Sequence, residues 1–267
     1  MKKGRPFLEI FASALHEDYR FPLLELFAFL YTLGAFGFAT ALTDIFTVSN
    51  EIWVYMLTST LMGVPLLVFL LLVFKNVAYG LGGDLEKGTI QTLLSYPLKR
   101  WKILTAKLLS ALGAALLLFF GIQLTVLVIM APSVILPNIG VILLTYFANC
   151  GYVLLLTTII LLITLFIKKG GIGLVVGIAV YFSIGIVTSM IQFVALVTGS
   201  AAPLQVIALL NPSTAVSLHY GVLQSIVINI AWQPTFTEAV FYVIGNYAIT
   251  ALLFSLAYYY FCRRLSI

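Results

Sequence analysis

An all-α, polytopic membrane protein is the fold class this sequence predicts, on three observations. Of its 267 residues, 62% are hydrophobic and only 9% are charged, whereas a soluble domain carries about 25% charged residues. The apolar residues gather into runs long enough to cross a bilayer as helix, which takes about 20 residues. Those runs are continuous and lack the two-residue alternation of an outer-membrane barrel. A soluble globular fold is excluded.

Six spans account for the pattern, at 22–42, 53–79, 103–131, 139–167, 172–197 and 239–261. With the N-terminus in the cytoplasm, all 14 Lys and Arg lie on the inner side or at an inner helix end. The outer segments then carry only Asp44, Glu51 and Glu238. That asymmetry follows the positive-inside rule, so a multi-pass protein of the plasma (inner, cytoplasmic) membrane is expected, with both termini cytoplasmic. The net charge of +5 marks one side of the membrane and does not form a nucleic-acid surface. Cys150 and Cys262 fall inside spans and imply no disulfide framework.

Before the first span, residues 5–20 place Phe7, Leu8, Phe11, Ala14 and Leu15 at helical spacing with charges between them. This reads as an amphipathic helix lying in the inner interface; a cytoplasmic helix packed on a partner is the alternative. The segment shows no uninterrupted apolar core and no cleavage pattern, so a cleaved signal is not expected. The outer segment 198–238 carries no charge until Glu238. Asn211-Pro212 predicts an N-cap and first helical residue, opening a helix to about Ile230. A seventh crossing would put Arg263 and Arg264 outside, so a helical hairpin in the outer leaflet is expected. No repeat or soluble domain interrupts residues 1–267, which read as one transmembrane domain.

Residues 83–107 are the main polar interruption. They hold Asp84, Glu86, Lys87, Lys99, Arg100, Lys102 and Lys107, seven of the chain's 14 basic and 9 acidic side chains. A phosphate-binding loop is excluded: Lys87 precedes Gly88, Thr89 stands where the lysine belongs, and two carboxylates would repel phosphate. The chain therefore binds no ATP through this motif. Thr89 is placed to cap a short helix, with Gly88 easing the tight approach. Ile90, Leu93 and Leu94 form one apolar face that wants a partner. Pro97 stops the helix, and Lys99, Arg100 and Lys102 anchor the next span at the headgroups.

Glu86-Lys87-Gly88-Thr89, followed by Leu93-Leu94-Ser95, Pro97, Arg100 and Lys107, resembles the signature of ABC-2-type transporter permeases. It lies, as in that family, in the first cytoplasmic loop after the second span. The interfacial helix, six spans and apolar outer segment with Asn-Pro extend the likeness along the chain. Asp84-Leu85-Glu86 spaces its acids more widely than the family often does. The resemblance implies a permease subunit, an exporter by family expectation. Its cytoplasmic coupling helix would dock on a separate ATP-binding subunit through Asp84, Glu86, Gly88, Thr89, Ile90, Leu93, Leu94, Pro97 and Arg100. ATP and Mg would act through that partner, with no cofactor bound directly. A second permease copy or paralogue would complete a dimer in the lipid bilayer.

Other polar residues carry less. Glu25 suits the first turn of span one, and Lys75 is placed to snorkel to the headgroups. Gln123, Asn149, Gln192 and Asn246 are expected to hydrogen-bond between helices. His16 and His219 fall in different compartments, so they form neither a metal site nor a catalytic pair. Gly173, Gly177, Tyr181 and Gly185 recur on one face of span five and predict close packing, within the chain or across a dimer interface. An intramembrane enzyme would need paired catalytic groups at one depth, which the sequence does not offer. A non-transporting membrane assembly or immunity protein is the remaining alternative.

Overall fold

Every regular element among the described residues is helical, because a helix satisfies each backbone donor within its own segment where no water reaches. The computed structural model describes residues 6–20, 22–45, 51–95, 98–130, 132–221 and 232–264. Among the described residues, five helices are long and apolar enough to cross a membrane: Pro65–Glu86, Arg100–Val126, Ile139–Ile167, Gly170–Ala195 and Phe236–Arg264. This is the architecture of a multi-pass membrane protein.

Helix α1, Pro6–Asp18, covers the predicted N-terminal amphipathic segment and α2, Leu23–Ile45, the first predicted span. Next, α3 (Glu51–Val73) continues without a break through a π-helical stretch, Phe74–Leu81, into α4, Gly82–Glu86. The second span was expected to end at residue 79, and the helix instead reaches Glu86. The acidic residues Asp84 and Glu86 therefore sit on its last turns rather than in a loop. α5 spans Thr89–Leu94 and α6 spans Arg100–Leu116. A second π stretch, Leu117–Ile122, leads to α7 (Gln123–Met130) and the short α8 (Pro132–Ile135). α9 covers Ile139–Ile167, α10 Gly170–Thr198, and α13 Phe236–Tyr259 with a π-helical end, Tyr260–Arg264.

Between α10 and α13 the segment differs from the expectation in the length of its helix. It forms two short helices, α11 (Ala201–Leu210) and α12 (Ser213–His219). The predicted helix to Ile230 ends at His219, and Gly221 adopts a left-handed φ of 75° that turns the chain. Asn211 makes no side-chain cap; the bond that ends α11 is its own N–H to the Ile207 carbonyl, 2.7 Å. Residues 222–231 lie outside the described ones. The start of α13 is a capping box that went unread in the sequence: Glu238 Oε2 accepts from the Thr235 N–H at 2.7 Å, and Thr235 Oγ1 accepts from the Glu238 N–H at 3.3 Å.

The core has two parts. One, at the α1 end, gathers Tyr19, Phe74, Ile90, Leu104, Leu161 and Phe261. The other gathers Tyr31, Tyr55, Phe119, Tyr146, Tyr220 and Trp232. α9 is the central helix, with 61% of its most apolar stretch buried, whereas α10 buries only 6% and lies at the periphery.

Three of the four in-span amides meet other helices. Gln123 accepts from the Tyr146 hydroxyl (2.9 Å), Asn149 accepts from Ser213 (3.2 Å), and Asn246 donates to the Leu209 and Leu210 carbonyls (3.0 Å each). Asn246 thereby covers the exposed carbonyls that end α11.

Candidate coupling site

The polar segment is built on a tight chain reversal. Past Glu86, the Lys87 N–H bonds the Gly83 carbonyl (2.9 Å), and Gly88 follows at φ 75°, a conformation that glycine takes without a Cβ penalty. Gly88 occupies the N-cap of α5 and Thr89 is its first helical residue, with no side-chain cap bond. The expectation that Thr89 caps the helix is thus corrected: the left-handed glycine makes the turn. α5 ends at Leu94, where Ser95 Oγ donates to the Thr92 carbonyl at 2.7 Å. Pro97, expected to stop the helix, lies outside the described residues.

The two faces of α5 differ from the sequence expectation as well. Ile90 is 1% exposed and belongs to the core of this chain, with Leu93 and Leu94 half-buried against it. A six-residue helix folded back on the bundle turns its 90, 93 and 94 positions inward, so the chain itself covers Ile90 fully and Leu93 and Leu94 in part. The outward residues are polar: Glu86, Lys87, Thr89, Gln91, Thr92 and Ser95 are exposed, as is Arg100 at the start of α6.

Asp84 points into the fold. Its carboxylate is 2.8 Å from Lys107 Nζ on α6, and the same ammonium reaches Glu17 of α1 at 3.0 Å. Lys107 thus joins α1 to the helix that leads into α5. Lys75 does not snorkel. It donates to the Asp18 carbonyl at the end of α1 and to Asn76 Oδ1 (3.2 Å), where a cation complements the carbonyl end of the helix. A cavity of about 150 Å³ opens among Glu17, Asp18, Lys75, Asp84 and Lys107.

Glu86 has a structural partner too. Its Oε2 accepts from the Gly170 N–H, the first amide of α10, at 3.2 Å, so a carboxylate sits at a helix N-terminus where the dipole favours it. This contact depends on a close backbone crossing of Gly82-Gly83 with Gly170. A Cβ on Gly170 would lie 2.8 Å from both Gly83 N and Tyr79 O, and one on Gly82 would lie 2.8 Å from Gly170 Cα. Gly82, Gly83 and Gly170, small residues at the same end of two long helices, are the only sequence trace of this crossing, and they went unread in the sequence.

The small-residue face of α10 is mostly occupied within the chain. Gly173 faces Thr164 and the Ala78 carbonyl, Gly177 faces Phe74 and Ile160, and Tyr181 meets the Phe74 ring edge-on at 6.3 Å. Gly185 has open space around it. The outward face of α10 carries exposed Val175, Ile178, Phe182, Ile186 and Phe193.

Among the described residues, no group of three or more His, Cys, Asp or Glu is placed to hold a metal ion. α5 presents a polar outer face, and the turn of α4 that leads into it is joined by Glu86 to α10 and by Asp84 and Lys107 to α6 and α1. No curated protein matches the chain. The family model for ABC-2 family transporter proteins matches residues 77–264, which take in this site and every helix from α4 to α13. The chain belongs to the ABC-2 family of transporter proteins and is a transmembrane component, not itself catalytic, of a membrane transporter.

Proposed function

We propose that this protein is the permease subunit of an ATP-driven exporter, coupled through α5 to a separate ATP-binding subunit that supplies ATP and Mg chemistry. It pairs with a second permease copy or paralogue in the plasma membrane. The observation that carries this reading is the mounting of α5. Its polar face (Gln91, Thr92, Ser95) is exposed, and the turn of α4 that leads into it is tied by Glu86 to α10 and by Asp84 to Lys107 of α6, which also reaches Glu17 of α1, so a push on α5 is delivered to several helices at once. A non-transporting assembly would not need an exposed polar helix anchored in this way. In this reading α2 completes six crossings, α1 lies in the inner interface, α11 and α12 sit in the outer leaflet, and both termini are cytoplasmic. The outward face of α10 and Gly185 then face lipid or the second permease.

Pull-down of the ATP-binding subunit at equal membrane expression tests the coupling. Gln91→Arg with Thr92→Glu is expected to remove most of the captured ATPase while the permease remains folded. Ile90→Asp is expected to reduce the folded permease itself, because an unpaired carboxylate in the core costs several kcal/mol. Full ATPase capture by the outward double variant would sink the assignment of α5 as the docking helix.

Topology has its own check. In a Cys262→Ser background, a membrane-impermeant thiol reagent is expected to label Ser200→Cys in intact cells and leave Ser95→Cys unlabelled until the membrane is opened. Labelling of Ser95→Cys in intact cells would reverse the orientation.

A further inference from the structure

The cavity between α1 and the spans encloses an uneven set of charges. Three carboxylates border it, Glu17 and Asp18 from α1 and Asp84 from α4, against two ammonium groups, Lys75 from the π-helical stretch and Lys107 from α6. Both lysines are committed elsewhere. Lys107 is held between Asp84 and Glu17, and Lys75 donates to the Asp18 backbone carbonyl and to Asn76. Among the described residues no cation lies within ion-pair distance of the Asp18 carboxylate, whose hydrogen-bond partner is the Ser110 hydroxyl of α6. Asp18 is nonetheless 8% exposed, and its remaining oxygen faces Gly80. Tyr79 and Ala111 also line the cavity, and the Ala111 carbonyl accepts from the Tyr19 hydroxyl at 2.7 Å. One added proton makes the set neutral: two carboxylates against two ammonium groups.

We propose that α1 is a proton-controlled latch: it docks on α6 and the π-helical stretch with Asp18 protonated, and its hold loosens when Asp18 ionises. Seating α1 removes Asp18 from water without giving the anion an ion-pair partner, and this burial favours the neutral acid more than the two nearby ammonium groups favour the ion. The proton is retained as an O–H that keeps the contact with Ser110, so protonation removes a buried charge without removing the hydrogen bond. Burial pushes the Asp18 carboxyl from its ordinary 3.8 up to about 6, against the opposing pull of Ser110, Lys107 and Lys75 and with help from Glu17. Docking of α1 therefore takes up a proton between those two values. The docked state is favoured fully below about pH 4 and loses that advantage as pH rises through about 6. At tenfold per unit, the docking equilibrium changes by up to about a hundredfold. Its consequence for transport rests on the proposed function, since Lys107 links α1 to the α4–α5 turn. The latch itself does not.

The experiment uses the full-length chain in nanodiscs of zwitterionic phosphatidylcholine, whose headgroups do not titrate between pH 5 and 8. Spin labels at Ala12→Cys on α1 and Gln91→Cys on α5, with Cys262→Ser, report their separation by pulsed electron resonance. At pH 5 a single short separation is expected, with a longer, broader population growing in as pH rises through about 6. Asp18→Asn is neutral and nearly isosteric, and it is expected to hold the short separation at every pH. Ser110→Ala removes a donor that favours the ionised form, so its midpoint is expected at higher pH. A distribution unchanged from pH 5 to 8 would overturn the latch, as would an unaltered pH response in Asp18→Asn. If Asp18→Asn does not fold, an unshifted midpoint in Ser110→Ala overturns it alone. Since no ATPase is present, the result is independent of the docking role of α5.

Discussion

Gly170→Ala is expected to lower the thermal unfolding midpoint of the purified permease by roughly 6–12 °C, corresponding to about 3 kcal/mol of overpacking. The added methyl would sit 2.8 Å from Gly83 N and Tyr79 O, two backbone atoms of a continuous helix that has no side-chain freedom to yield. The crossing must open, and the Gly170 N–H then moves away from Glu86. Gly171→Ala is the matched control: a Cβ there meets nothing within 4 Å, and alanine is up to about 1 kcal/mol better than glycine in a helix. The two neighbouring substitutions are thus expected to act with opposite sign. Equal effects at both positions would show that helix propensity, not the backbone crossing, governs this end of α10.

Lys107→Met is the second change of large expected effect, at about 3–5 kcal/mol. The lysine is 12% exposed and Asp84 8% exposed at the side chain, so removing the ammonium leaves a carboxylate shut inside the fold with no counter-charge. The Glu17 contact adds little, because that side chain is 63% exposed and water screens it. Adding Asp84→Leu to Lys107→Met is expected to recover most of the loss, since a buried pair replaced by apolar groups of similar size is often neutral. Unfolding of the wild type, both single variants and the double variant forms a cycle that isolates the pair. Additive losses would show that Lys107 acts through packing of its stem, and that α4 and α6 are not joined by charge.

Much of the architecture was legible without coordinates, because hydrophobic run length and charge sign act locally. The fourth predicted span and α9 agree to the residue, at Ile139–Ile167. A helix in lipid has no competing way to satisfy its backbone, so composition alone sets where it exists. The signature around Glu86-Lys87-Gly88-Thr89 pointed to the ABC-2 family, and the family model confirms it.

Composition and the order of charges alone set the class of protein and the position of its polar segment. Which way each residue in that segment faces depends on the packing of helices distant in sequence. Ile90 has the pattern of a residue awaiting a partner, yet α5 folds back and the chain covers it. Asp84 and Lys107 stand 23 positions apart, and only the packing of α6 against the end of the second long helix brings them to 2.8 Å. Asp18 reads as one charge on an amphipathic helix until α6 and the π-helical stretch close over it. The physical reason is the same in each case. Burial and charge pairing depend on what approaches from elsewhere in the chain, whereas membrane insertion depends on the segment alone.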